Sequence, residues 1–339
     1  MRYVLIGLLA FVSLGSSAQP VIVNPLLPSG ADPWIVSHDG VYYYTQTTGN
    51  NLTIWKTRDI GKLGSAEKKV IWTPPATGPW SHEIWAPEMH FLSGKWYIYF
   101  AADEGRNETH RIWVLENASS DPLTGEWVMK GKVADPSDKW AIDATVFENR
   151  GQLYMAWSGW PGDSDGEQDI YMARLKNPWT VDGNRARVST PQRAWEKHGD
   201  LPGRHVSVNE GPEVIAHGGS IFLIYSASGC WTDDYALGML RASADADLMK
   251  ASSWTKSQEP LFTSSAEARA FGAGHNGFFK SPDGKEDWIV YHANPEPHKG
   301  CGGQRSPRAQ RFKWKPDGTP DFGKPVTLGK AEPAPSGTQ

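Results

Sequence analysis

Cysteine is scarce in this chain: Cys230 and Cys301 are its only two. That count leaves no room for a disulfide-dense scaffold or a four-cysteine zinc site. Long apolar runs are scarcer still. The stretch at residues 4–14 follows Arg2 and gives way to Ser16-Ser17-Ala18 before Gln19, the layout of a cleaved secretory signal over residues 1–18 and too short to span a bilayer. Nothing later is long and apolar enough to do so. We therefore expect a secreted or periplasmic protein that enters no membrane, with a pair of cysteines more fitted to a bridge than to two buried thiols. A net charge of −4 supplies no basic field for nucleic acid. Zinc-ligand spacing, H-E-x-x-H, G-x-S-x-G and the phosphate-binding P-loop are all missing, which removes the commoner hydrolase and NTPase classes.

One glycine motif stands out against these absences. Gly272, Gly274 and Gly277 in "GAGHNG" have the spacing of a dinucleotide-binding loop. That spacing works only where a strand enters and a helix leaves, so that pyrophosphate meets the helix N-terminus. Here "FFK" and the turn "SPDG" follow at once, with no room for a helix, so no nucleotide is expected. Residues 163–167, "DSDGE", lack the full spacing of a calcium loop and are read as surface.

Tryptophan is what the chain has in excess: 17 Trp beside 11 Tyr and 11 Phe. Indole faces stack on the C–H faces of sugars, whereas periodic aromatic residues also serve as packing motifs in antiparallel β architectures. Helical periodicity is nowhere sustained. Instead a pattern recurs, with a leading peptide, a Gly or Asp turn and an aromatic strand: "ADPWIVSHDGVYYYTQT", "WAPEMHFLSGKWYIYFA", "IDATVFENRGQLYMAWS", "EGPEVIAHGGSIFLIYS" and "GHNGFFKSPDGKEDWIVYHA". The copies lie about 54 to 68 residues apart, a propeller-like period. An alternating third strand follows each, as in "LTIWKTR" and "DIYMARL". We expect an all-β fold, a five-bladed β-propeller of four-stranded antiparallel blades around a central channel, spanning residues 19–330 and followed by a flexible tail at 331–339.

Residues that lead the first strands of a propeller converge on its channel. The leading peptides carry Asp32, Glu88, Asp143, Glu210 and His275. Carboxyl groups crowded at one mouth need either a cation or a purpose for shifted pKa values. Glycoside hydrolysis supplies such a purpose, since one carboxyl must hold a proton for the leaving oxygen while another, ionised, activates water.

Taken together, "DPWIV", "HEIWAPEMHFLSGKWYIYFAA", "AIDATVFENRGQLYMAWSG", "NEGPEVIAHGGSIFLIYSAS", "GHNGFF" and "RAQRFKWKPDGTP" resemble glycoside hydrolase family 43 over nearly the whole mature chain. The resemblance implies a five-bladed propeller and an inverting enzyme. It makes Asp32 the general base, Glu210 the general acid and Asp143 the group that orients Glu210 and raises its pKa. Inversion implies carboxyl groups of Asp32 and Glu210 roughly 6.5 to 9.5 Å apart. His275 matches a channel histidine of the family, beside a central ion such as calcium or a water. Arg305, with Arg308 as the other candidate, would hydrogen-bond a sugar hydroxyl. Trp85 is a candidate pocket wall or a core residue. The peptides "SHEIWAPE" and "SASGCWTDDYALG" look most like the α-L-arabinofuranosidase branch, some members acting exo on α-1,5-linked arabinan. The implied partner is arabinan or arabinoxylan, with no cofactor for the chemistry and a monomeric state. A β-xylosidase, an endo-arabinanase or a non-catalytic carbohydrate-binding propeller are the alternatives.

Overall fold

The structure, a computed structural model, describes residues 20–338. The expected signal peptide at 1–18 lies outside them. The chain is nearly all β, and its helical segments among the described residues are short 3-10 turns such as Ile60–Ser65. Its sheets are antiparallel units of four strands taken in sequence order. Unit 1 runs from Ala31–His38 through Val41–Thr47 and Leu52–Thr57 to Glu67–Trp72, and unit 2 from His82–Leu92 through Lys95–Asp103 and Arg111–Asn117 to Val128–Lys132. Unit 3 comprises Ala141–Asn149, Gln152–Gly159, Glu167–Asn177 and Thr180–Ser189; unit 4 comprises Ser207–His217, Ser220–Ala227, Ala236–Ser243 and Thr255–Lys256. A short parallel pairing of Glu167 and Gln168 with Ser207 and Val208 joins these two. Unit 5 comprises Phe271–Lys280, Asp287–Asn294, Ser306–Trp314 and Pro320–Asp321.

Burial explains the sequence of each strand. The second strands, "YIYFA" and "IFLIYSA" among them, are buried on both faces and read as continuous apolar runs. Fourth strands such as "EKKVIW" are exposed and charged, which keeps a sheet edge from pairing with another chain. Apolar clusters lie between consecutive units. Tyr43, Trp96 and Phe100 fill the space between units 1 and 2, and Tyr154, Leu223 and Tyr225 the space between units 3 and 4. Tyr42, Tyr44, Phe279 and Trp288 pack the last unit against the first. The result is a propeller-like ring.

The chain ends help to close that ring. Val21–Val23 pairs with Ala331–Pro333, and Ile22 and Leu26 enter the core between units 5 and 1. Asn24 and Ala309 exchange two hydrogen bonds of 2.8 Å. This corrects the expectation of a flexible tail from residue 331: the Pro- and Ala-rich composition hides a strand whose partner is 310 residues away in sequence and could not be read locally. Beyond it, the Ser336 backbone donates to Glu286 at 3.0 Å.

Each innermost strand contains one comparable irregularity. The register slips so that Asp32-Pro33, Ala86-Pro87, Asp143-Ala144, Gly211-Pro212 and His275-Asn276 each stand where the partner strand offers a single residue. The first residue of every pair has positive φ, at 55°, 43°, 56°, 53° and 48° respectively. Such bulges re-aim a side chain and break the ladder, which is why proline, with no N–H to donate, is accepted three times.

Candidate active site

The bulges turn three side chains, Asp32, Asp143 and His275, toward one cavity, and Glu210 joins them from the position just before its own bulge. Asp32 Oδ2 accepts a 2.5 Å hydrogen bond from Thr47 Oγ1. Its Oδ1 faces His275 Nδ1 at 3.3 Å, His292 Nδ1 at 3.4 Å and Arg305 Nη1 at 3.5 Å. Asp143 Oδ2 accepts from the Gly211 N–H at 3.1 Å, which anchors the backbone next to Glu210. Ligating atoms of Asp143, Glu210 and His275 all lie within 4.8 Å of one another.

This crowding drives the protonation states apart. Burial works to raise the Asp32 pKa, but the positive charges of His275 and Arg305 overcome it and hold the carboxyl well below the usual range. Burial pushes Asp143 up to about 8, helped by the charges of Glu210 and Asp32 against the pull of His275. Burial also raises Glu210, with Asp32 adding to it, while His275, Tyr235 and Arg305 oppose. Burial disfavours the His275 cation, yet the surrounding carboxylates outweigh it and its pKa rises. His292 is lowered by burial to about 4 and stays neutral, leaving Nδ1 free to accept the Asp32 N–H at 3.1 Å. At neutral pH the site therefore offers an ionised Asp32 beside a protonated Asp143, with Glu210 also shifted toward holding its proton, the division that acid–base chemistry needs.

The cavity has a volume of about 450 Å³. Trp85 is on its wall, stacked on His110 with ring centroids 4.2 Å apart. Trp140 and Trp160, stacked at 4.8 Å, pack in the same cluster and continue that wall. Cys230 and Cys301 are bonded, joining loops of units 4 and 5 on the wall beside Trp231. Arg305 Nη2 donates to the Cys301 carbonyl at 2.8 Å, so the bridge lies next to the group that contacts Asp32.

Three expectations need correction. Arg308 does not reach the cavity: fully buried, it donates to the carbonyls of Arg269 at 2.8 Å and Asn294 at 3.4 Å. Glu88 is not the counterpart of Asp32 and Asp143, a place held by Ala86; it lies past the bulge, 3.2 Å from His90 and close to Glu213. Residues 163–167 are not merely surface, since Asp165 lines the cavity and pairs with Arg204 of the hairpin at 200–205. Sequence reading also missed Thr47, His292 and Tyr235. The strand register could have found the first two, because both sit on second strands across from the bulges.

Asp143, Glu210 and His275 could each offer one ligand atom to a cation, in competition with a proton on His275. Its imidazole is drawn toward the protonated form by its acidic neighbours Asp32, Asp143, Glu210 and Glu88, and protonation removes the lone pair that a metal would use. Arg305 adds a second positive group beside Asp32.

Two carboxyl functions held in opposite protonation states within a tryptophan-walled pocket define a glycoside hydrolase. The chain belongs to glycosyl hydrolases family 43, whose family model matches residues 22–320. It is 41% identical over 334 residues to an extracellular exo-α-(1→5)-L-arabinofuranosidase of Streptomyces avermitilis, a match covering 95% of this chain and 67% of that protein. A protein of the same description from Streptomyces chartreusis is 41% identical, with 80% and 81% covered. A crystal structure of an α-L-arabinofuranosidase from Lactobacillus brevis superposes with a TM-score of 0.84 at 37% identity, covering 91% of this chain and 98% of that one.

Proposed function

We propose that this protein is an inverting exo-α-L-arabinofuranosidase that removes terminal arabinofuranosyl residues from α-1,5-linked arabinan outside the cell, and that its ring consists of five blades. The observation that carries the reading is the meeting of Asp32, Asp143 and Glu210 in one cavity. Relatives described as exo-acting and extracellular support it. So does the cavity's outline. Its lining comes from all around the ring, with Thr47, Trp85, Trp160, Trp231 and Arg305 each supplied by a different unit, which suits a chain end better than a chain passing through.

In this mechanism Asp32 takes a proton from water as the water oxygen bonds to the anomeric carbon. Glu210 gives its proton to the leaving oxygen, which keeps the electron pair of the broken C–O bond. Inversion follows from attack on the face opposite the leaving group. Arg305, His275 and Thr47 keep Asp32 ionised and aimed. Asp143 fixes the backbone beside Glu210 and shares the proton of that buried pair.

Arabinose release from linear arabinan by the wild type, Asp32→Asn and Glu210→Gln tests the assignment. Each variant is expected to lose about 10²- to 10⁴-fold or more in kcat on arabinan. Unchanged rates in both would overturn it.

A further inference from the structure

We propose that Tyr235 is a positioning residue for Glu210, fixing which carboxyl oxygen carries the proton delivered to the leaving group. The inference rests on the reading of Glu210 as the general acid. Tyr235 precedes strand Ala236–Ser243 and is 1% exposed. Its hydroxyl donates to Glu210 Oε1 at 2.8 Å. A phenol has one proton to give, and here it is directed to Oε1, while Ser226 stands beside the phenol and favours its ionised form. Ser226 Oγ is held in turn by the His275 N–H at 2.8 Å. With Oε1 occupied as an acceptor, the acid proton resides on Oε2.

The ring itself is held from two sides. It lies parallel to His292, at 7° and 5.8 Å between centroids, and His292 accepts the backbone N–H of Asp32. Along its edge, a Cβ at position 274, the residue paired with His292 across the strands, would come within 2.4 Å of the ring. Gly274 is thus the space into which Tyr235 fits, and this is what the glycine of "GAGHNG" does within the strand Phe271–Lys280. One side chain thereby touches the support of the base and the acid itself.

The chemistry gives this contact a measurable consequence. When the Oε2–H bond breaks and the proton passes to the leaving oxygen, charge develops on the Glu210 carboxylate. The hydrogen bond from Tyr235 strengthens as it does so, because charge-assisted bonds are the stronger ones. Burial and the neighbouring Glu210 charge keep the proton on the phenol, so Tyr235 donates a hydrogen bond and not a proton.

The test compares Tyr235→Phe with wild type on arabinotriose, whose leaving group needs protonation, and on 2,4-dinitrophenyl α-L-arabinofuranoside, whose leaving group does not. On arabinotriose kcat should fall about 10- to 100-fold with KM little changed. The aryl substrate should be cleaved nearly as fast as by wild type. The basic limb of the kcat/KM profile on arabinotriose should move to higher pH, since a donor to the carboxylate has been removed while Asp32, Asp143, His275 and Arg305 still face it. Should Tyr235→Phe not fold, Ser226→Ala is expected to give a smaller loss of the same selectivity. Equal losses on both substrates, or no loss on either, would overturn the proposal while leaving the arabinofuranosidase reading intact. A wild type that cleaves neither substrate would overturn both.

Discussion

Asp32 and Asp143 hold the same step of two different strands: each opens a bulge, and each has a left-handed backbone, with φ of 55° and 56°. A non-glycine residue in that region costs on the order of 1 kcal/mol or more, and such strain concentrates where function needs it. The equivalent steps carry Ala86, Gly211 and His275, so the ring repeats one backbone device while varying the side chain it presents. Electrostatic cost adds to the conformational one, because the carboxyl groups are buried among each other.

Asp143→Asn separates these two costs, since asparagine tolerates the same backbone conformation. Unfolded Asp143 titrates near the ordinary carboxylate value of about 3.9, whereas in the folded protein it is pushed up to about 8. Between those values the folded state keeps a proton that the unfolded state releases. Wild-type stability is therefore full below the unfolded pKa and declines as pH rises toward 8. The gap in thermal midpoint, variant minus wild type, should widen in the variant's favour from pH 4 to pH 8. A gap independent of pH would show that Asp143 is not held protonated. In kinetics, loss of the charge that Asp143 gains as it ionises near 8 should move the basic limb of kcat/KM to lower pH.

Arg305→Ala addresses the other end of the pair. Asp32 is held ionised against its burial by His275 and Arg305, so removing the guanidinium should raise its pKa. Because the base must be ionised to work, the acidic limb of the pH profile should move to higher pH. We expect kcat/KM at pH 5 to fall by about tenfold or more. Arg305→Lys should restore the limb only partly, as a point charge does not reproduce the forked contacts to Asp32 and the Cys301 carbonyl.

Much of this site was legible in the sequence, for a reason visible in the bulges. Their residues stand beside Pro33, Pro87 and Pro212, which cannot donate to a ladder and so mark the slip in an otherwise aromatic repeat. What stayed hidden depended on contacts between units. Tyr235 reaches Glu210 from the connection between the second and third strands of unit 4, the stretch whose sequence and length vary from copy to copy, and the strand at 331–333 gains its meaning only from Val21–Val23. Glu88 misled because one acid looks like another until the register is known, and two residues along a bulged strand separate the cavity from the layer behind it.

The disulfide invites a third test. Cys230 and Cys301 are 71 residues apart in sequence and join units 4 and 5 beside the pocket. Closing a loop of that length stabilises a fold by about 4 kcal/mol in the chain-entropy account. The double variant Cys230→Ser, Cys301→Ser should lose thermal stability. Its KM should also rise more than its kcat falls, because Trp231 and the carbonyl that holds Arg305 are both on the released loops. A variant that is less stable but has unchanged KM would make the bridge a staple alone.

Arg308 gives the contrasting case and so a control for Arg305. The two arginines are three residues apart, yet one contacts Asp32 while the other lies buried under the carbonyls of Ala268, Arg269 and Asn294. A buried guanidinium that satisfies backbone acceptors is costly to remove, because those carbonyls lose their donors inside the protein. Arg308→Met should therefore lower stability by about 1 to 3 kcal/mol, measured by urea unfolding, while the pH limbs of kcat/KM stay where they are in wild type. A moved acidic limb with unchanged stability would place Arg308 at the substrate after all. The expected outcome instead divides the two residues cleanly, with charge at the site assigned to Arg305 and packing of the last unit to Arg308.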